Sequence, residues 1–325
     1  MSAAALLGGA SSSGPRPINL RTDLGAIATL IETCFADEMD AQGRAAVREM
    51  RAISRSGPFL WLLASLNRVV RDIASGYVWV EDGWLVGNVS IYRADTPDFD
   101  WVIANVAVHP DFRRRGIARS LMQASLELLC KRKGRSVALQ VRQSNLGAIA
   151  LYRALGFAIV RTWTTWRHPA PMVALERSSP PIEAAQGNDW RDIYALAREI
   201  RPTGLGWMRA TDASAFRPTL WRWLSDLFSG KVEEQYVVRD GAGVAAALLI
   251  GMPLAGRRDA LTLLVRPDHQ GELERPLLGF ALNRLRGRGR AVTLEHPDDD
   301  QAACAALEAL GFTRSQSLTV MRYDL

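Results

Sequence analysis

Three cysteines, Cys34, Cys130 and Cys304, and four histidines are all that 325 residues provide for covalent cross-links or soft metal ligation. Thiols so few and scattered build neither a disulfide framework nor a zinc site, and the histidines show no ligand spacing, so no metal is expected. No apolar run approaches the ~20 residues that cross a bilayer; the longest candidate, Phe59 to Leu66, ends at Asn67 and Arg68. A cytoplasmic protein with no membrane partner follows. The start, residues 1–14, is rich in Ala, Gly and Ser but lacks the positive charge and long apolar core of a signal peptide, and reads as a flexible leader.

What is present is ordinary in bulk. Apolar residues make up 48% and charged residues 23%, as in a globular protein, and the length suggests two domains. The net charge of +6 is informative once divided. Residues 1–168 hold 21 Lys and Arg against 14 Asp and Glu, and residues 169–325 hold 19 against 20. Arg113 to Arg135 alone carries eight basic residues and one acid, Glu127, which points to a partner bearing phosphates or another dense anion.

The first half alternates helices and strands. A short strand is expected at Ile18–Arg21, with Asp23 as the cap of a helix whose Leu24, Ile27, Leu30, Ile31 and Cys34 share one face. More helix follows to about Ser75, its Phe59–Val70 stretch apolar on nearly every side. Tyr77–Val80 and Trp84–Tyr92 read as a hairpin across Asp82-Gly83. Trp101–Val108 is a strand stopped by His109-Pro110, where His109 reads as a cap rather than a ligand. A long helix to about Lys133, a strand at Val137–Val141, a short helix at Leu146–Leu155 and a strand at Phe157–Trp166 complete the half. The Pro- and Ser-rich tract 169–181 reads as a linker, giving domains at 15–168 and 182–325.

The second half repeats the first. VAVHPDF (Val106 to Phe112) matches LLVRPDH (Leu263 to His269) at a separation of 157 residues, and LYRALGF (Leu151 to Phe157) matches ALEALGF (Ala306 to Phe312) at 155. Two matches agreeing within two positions indicate a tandem duplication.

The sharpest motif is Arg113-Arg114-Arg115-Gly116-Ile117-Ala118, between a strand and a helix. A tight loop rich in N–H groups at a helix N-terminus is an anion site, and glycine lets backbone approach a phosphate; the plainer reading is a basic loop that opens a helix. With Asn145-Leu146-Gly147-Ala148 through Tyr152 to Gly156-Phe157 downstream, the pair of motifs resembles the GNAT superfamily of acetyl-CoA-dependent N-acetyltransferases over roughly Pro17 to His168. The resemblance implies an α/β (α+β) fold of two tandem GNAT-like domains, each a mixed, mostly antiparallel sheet with a splayed parallel strand pair and flanking helices.

Carried over by position, the resemblance implies that acetyl-CoA, as cosubstrate, lies between the splayed strands. The backbone of Val106, Ala107 and Val108 would bind the pantetheine and polarise the thioester. Arg113, Arg114, Arg115, Gly116, Ile117 and Ala118, with Arg119 and Ser120, would hold the pyrophosphate. Asn145 would bond the pantetheine arm, and Ala148 and Tyr152 would also take part in binding the cofactor. Tyr152 would be the general acid for the departing thiolate, its plainer reading being a core tyrosine beside Leu155. Asp100 falls where related ribosomal-protein alanine acetyltransferases have a glutamate, and would be the base; Asp98 and Asp100 are equally readable as solvated loop acids. Trp61 and Trp101 would border the acceptor cleft, the other tryptophans packing the sheet.

The implied reaction is direct attack of a primary amine on the thioester, the acceptor being a small molecule or a protein N-terminus or lysine. No nucleic-acid partner is expected, because the arginines coincide with the phosphate loop and its helix, and the chain would be a monomer or homodimer. A non-catalytic acyl-CoA-binding or scaffold protein of the same fold is the competing class. In the second domain the loop becomes Gln270-Gly271-Glu272-Leu273-Glu274-Arg275, Asn145 becomes Asp300 and Tyr152 becomes Leu307, so that copy is expected to bind no acetyl-CoA.

Overall fold

A computed structural model describes residues 13–36, 39, 41–55, 75–94, 99–172, 180–200, 231–241, 243–254 and 258–325. The expected helix at Phe59–Val70, Trp61 and Asp98 lie outside these residues. The chain divides into two compact units. The first runs to Leu139 and takes in Ala150–Ala158 and Arg322–Leu325; the second comprises Gln140–Ile149 and Ile159–Met321.

In the first unit β1 (Gly14–Pro17) leads into α1 (Leu20–Phe35). The expected strand at Ile18–Arg21 is instead the start of this helix. Asn19, not Asp23, is the N-cap: its side chain accepts from Arg21 N, while Asp23 accepts from Asn19 N at 2.8 Å and pairs with Arg16 at 2.7 Å. Reciprocal capping of this kind satisfies donors that a helix end leaves open, a cap alone contributing about 1 kcal/mol. Leu24, Ile27, Ala28 and Ile31 then pack on Val47, Met50 and Ile53 of α2 (Ala41–Ser54) and Val78 of β2 (Ser75–Glu81). Each such fully buried aliphatic contributes roughly 1.5–3 kcal/mol.

Asp82 and Gly83, both at positive φ, turn β2 into β3 (Trp84–Arg93), which pairs antiparallel with β4 (Trp101–Val108). A 3-10 turn at Pro110–Phe112 leads to α3 (Ile117–Lys131), which crosses back to β5 (Ser136–Arg142), parallel to β4. The sheet order is β1-β2-β3-β4-β5. Then follow α4 (Leu146–Ala154) and β6 (Ala158–His168).

Among the described residues the second half repeats this order except for a counterpart of α2: β7 (Glu183–Ala184), α5 (Trp190–Ile200), β8 (Lys231–Asp240), β9 (Gly243–Pro253), β10 (Arg258–Val265), a 3-10 turn at Pro267–His269, α6 (Glu274–Leu285), β11 (Ala291–Pro297), α7 (Gln301–Ala309) and β12 (Thr313–Asp324). Again one pair, β10 and β11, is parallel, from Arg258↔Ala291 to Leu261↔Leu294. The duplication thus extends from motif to topology.

The units are not contiguous in sequence. β6, the last strand of the first repeat, pairs antiparallel with β11, from His168↔Val292 to Trp163↔Pro297, and the second unit has the order β12-β6-β11-β10-β9-β8-β7. Trp166 of β6 is fully buried there among Leu261, Leu294, Leu307 and Phe312. The first unit in turn takes up the end of β12, where Tyr323 stacks on Phe157 at 5.3 Å and Leu325 N donates to Arg135 O at 3.0 Å. Among the described residues no helix is long and apolar enough to cross a membrane.

Candidate active site

β4 and β5 are in register only from Trp101↔Val137 to Ile103↔Leu139. On its other edge β4 carries a bulge: Ala107 faces Asn88 and Ala104 faces Ser90, so Asn105 and Val106 together face Val89. Asn105 has φ +52°, a left-handed conformation suited to the extra residue of a bulge. Asn105 and Val106 thus interrupt the ladder to β3, which resumes at Ala107 and Val108, and from Asn105 to Val108 the β5 edge of the strand is unpaired, where a ligand-binding strand pair would open. Its far end is fixed: Val108 O accepts from Arg113 Nε at 3.1 Å and from Cys34 Sγ at 3.4 Å, and His109 N donates to Val86 O at 2.8 Å.

His109 accepts from Asp111 N through its ring nitrogen, the capping role the sequence suggested. Gly116 is the N-cap of α3 at φ +81°, and a Cβ built there would meet nothing within 4 Å. The conformation favours glycine, and the space around a Cβ at this position is open. The N–H groups of Ile117, Ala118 and Arg119 in the first turn have no partner within the helix, and the helix dipole adds positive potential. Together these make an anion seat.

The arginines divide. Arg113 and Arg114 are exposed, and Arg113 is held by its Nε to Val108 O with its side chain against the Cys34 thiol. Arg115 is committed to bracing: it pairs with Glu81 at 3.2 Å, donates to Asp111 O at 3.0 Å and lies over the Phe112 ring. Ile117 is buried and could contribute only its N–H. Ser120 N is bonded to Gly116 O at 3.0 Å, which leaves its hydroxyl, while the Arg119 side chain is exposed beside it. The second basic cluster, Lys131 to Arg135, lies at the other end of α3, roughly 20 Å away at 1.5 Å per residue, too far for the same phosphates.

Asn145 caps α4, its Oδ1 accepting from Ala148 N at 3.1 Å, so Nδ2 is the donor it could offer a ligand. Ala148 is half-buried one turn in. Those two fall in the second unit, whereas Tyr152 on the same helix falls in the first with Val106 to Ser120. Tyr152 is 6% exposed, with its ring tilted against Phe157 at 6.0 Å. Burial pushes its phenol above the usual tyrosine range, so it is protonated at neutral pH.

Asp100 is not placed as a base. It precedes β4 by one residue, six residues before Val106, or roughly 20 Å along the strand. Its carboxylate is also occupied, accepting from Arg135 N at 2.6 Å and Arg135 Nη2 at 3.0 Å, and these contacts hold its pKa below the ordinary value. Trp101 beside it is buried between the guanidinium groups of Arg93 and Arg132, at the same far end of the strand, and does not border Val106–Val108. The residues that sequence reasoning missed are Asn88, Ser90 and Asn105, polar residues interrupting apolar strands, which form a buried hydrogen-bonded group against the bulge. Among the described residues no group of His, Cys, Asp and Glu could hold a metal ion.

The second repeat has the same frame with other contents. Asp300 caps α7 as Asn145 caps α4, accepting from Ala303 N at 3.0 Å, but its other oxygen pairs with His296 at 2.8 Å. The first loop has two left-handed residues, Arg114 at φ +65° and Gly116; in the second, Gly271 keeps this conformation at the position of Arg114, while Leu273 takes the N-cap position of Gly116 with ordinary negative φ. Gly271 N donates to Glu274 Oε2 at 2.8 Å, so the loop's own carboxylate takes up an N–H of the turn.

Residues 44–157 match the acetyltransferase (GNAT) family. The chain is 38% identical over 99 residues to N-alpha-acetyltransferase RimI of Mycobacterium tuberculosis, 30% of this chain and 61% of that one. It is 47% identical over 53 residues to the [ribosomal protein bS18]-alanine N-acetyltransferase of Escherichia coli, 16% of this chain and 36% of that one. The chain thus spans less than two thirds of these relatives. A GCN5-related N-acetyltransferase from Sphaerobacter thermophilus superposes over 95% of both chains with a TM-score of 0.58 at 19% identity. A tandem GNAT protein from the clavulanic acid biosynthesis pathway covers 95% of this chain and 98% of its own, with a TM-score of 0.52 at 18% identity. The chain therefore carries a GNAT-family acetyltransferase domain in its first half, within a fold of two GNAT-like repeats.

Proposed function

We propose that the first repeat is an N-acetyltransferase that moves the acetyl group of acetyl-CoA to a primary amine by direct attack. The observation that carries this reading is that one unit combines an anion seat at Gly116, an irregular open strand at Asn105–Val108 and a buried, protonated Tyr152. The seat would take the pyrophosphate, with Arg113, Arg114 and Arg119 adding charge, and the strand's N–H groups would hold the pantetheine and the thioester oxygen. The amine lone pair forms a bond to the thioester carbon, the C–S bond breaks, and Tyr152 gives its proton to the leaving sulfur. Tyrosinate is reprotonated by the proton the new amide sheds, through solvent.

Direct transfer needs no acyl-enzyme, and none of the three cysteines lies in the motifs. With Asp100 elsewhere, the amine enters deprotonated or loses its proton to water. Protein N-termini fit this best, since an α-amino group titrates near 7.7–8.0 and about a fifth to a third of it is neutral at pH 7.4, against about a thousandth of a lysine. The names of the relatives support the same class, and a cytoplasmic location agrees with it. The test is thiol release from acetyl-CoA with peptides beginning in alanine, set against lysine peptides, polyamines and aminoglycosides, with products read by mass spectrometry. Binding of acetyl-CoA without acetylation of any amine would favour the non-catalytic alternative.

A further inference from the structure

Asn88 is fully buried in β3, and its Oδ1 has no hydrogen-bond partner. An apolar side chain of the same size would avoid that cost, so the stability of the strand does not account for an amide here. Its Nδ2 donates to Asn105 O at 3.0 Å and lies 3.4 Å from Ser90 Oγ, which also accepts from Asn105 Nδ2 at 3.3 Å. Ser90 is fully buried as well. All three residues meet at the bulge.

The carbonyl that Asn88 grips belongs to the peptide unit Asn105–Val106. That unit is planar and trans, so its C=O and N–H point in opposite directions. Holding Asn105 O toward Asn88 aims Val106 N–H the other way. Asn105 at φ +52° has no regular ladder to set this orientation, and β5 pairs with β4 only as far as Ile103. We propose that Asn88, supported by Ser90, is a positioning residue that orients the Val106 N–H as a donor to the thioester oxygen. The proposal rests on the acetyltransferase reading and names the side chain that sets its oxyanion donor.

A single oxyanion donor contributes about 10²–10³ to turnover. Asn88→Leu should therefore lower kcat by roughly 10- to 100-fold, because the donor is misdirected rather than deleted, with KM for acetyl-CoA within about 3-fold. The carbonyl stretch of bound, 13C-labelled acetyl-CoA should move back toward its value in water, a change that loosened packing elsewhere would not produce. Asn88→Asp keeps the shape and exchanges the donor for an acceptor; it covers a leucine variant that does not fold, and should lose at least as much. A folded Asn88 variant with wild-type kcat and carbonyl stretch would overturn the proposal while leaving the acetyltransferase reading standing. Wild-type protein that binds no acetyl-CoA would sink both.

Discussion

Replacing Tyr152 by Phe tests the general acid, and the structure bounds the size of the effect. The thiol of coenzyme A resembles a cysteine thiol, with a pKa near 8.5, whereas burial holds the phenol above 10. Full proton transfer from Tyr152 to the free thiolate is thus uphill by at least about 1.5 pKa units, or roughly 2 kcal/mol. The phenol helps most while the C–S bond is still breaking, as a donor to a sulfur of growing charge. The loss on removing it should then fall at the low end of the 10²–10⁴ typical of general acids, about 100-fold in kcat or roughly 2.7 kcal/mol. Acetyl-CoA affinity should be nearly unchanged, because the anion seat at Gly116 is untouched. Single-turnover thiol release gives the first quantity and titration calorimetry the second. Wild-type turnover in the variant would remove Tyr152 from the chemistry and leave it a core residue against Phe157.

Asp100→Asn should leave turnover and its pH profile within about 2-fold of wild type, since general base catalysis contributes about 10² or more where it operates; a loss recovered at high pH would restore Asp100 as the base. The same variant should melt lower than wild type at pH 7. The folded-state pKa of Asp100 is depressed by Arg135, so the pair's contribution is present above the ordinary aspartate value near 3.9 and disappears as pH falls below it. Arg113→Ala should weaken acetyl-CoA binding several-fold and flatten its salt dependence; if both survive, Arg113 serves only to hold Val108 O. Calorimetry on the whole chain should count one acetyl-CoA, and none after Gly116→Leu; a count near two would place a working seat in the second repeat.

Much of the fold is legible because the relevant signals are local. Trp101–Val108 has strand boundaries that a proline fixes, and Gly116 announces a left-handed turn before a helix whose apolar face repeats every three to four residues. The start of α1 was not legible, because Asn19 and Asp23 are both good caps and only tertiary pairing with Arg16 decides between them. The membership of β6 was not legible either. Trp163 to His168 show the alternation of a half-buried strand, and alternation says nothing about which strand lies alongside. In the site, residue types on the loop and helix carried the chemistry, but distance did not follow from alignment. Asp100 has the right chemistry for a base and the wrong end of an extended strand. Asn88 gave the opposite problem: its role depends on a register slip between β3 and β4 that no single sequence displays.

The two repeats show how little change is needed to turn an anion seat into a closed loop. In the first, Arg114 and the N-cap Gly116 are both left-handed, and a Cβ built on Gly116 would meet nothing within 4 Å. In the second, only Gly271, the counterpart of Arg114, stays left-handed while the N-cap Leu273 does not, and a carboxylate from the first helical residue reaches back to the Gly271 N–H. That carboxylate is 1% exposed, and burial raises its pKa, because a buried ion is costly even beside a helix N-terminus. A phosphate arriving there would have to displace Glu274 and then share the turn with Glu272. The fold can keep the strand order and the cap of its last helix while an internal carboxylate stands where a phosphate would be held, which accords with the expectation that this repeat binds no acetyl-CoA. Leu273, at the N-cap of that loop, is itself buried in the apolar core around Trp166, Leu277 and Leu307, so the closed loop also serves the packing of the second repeat.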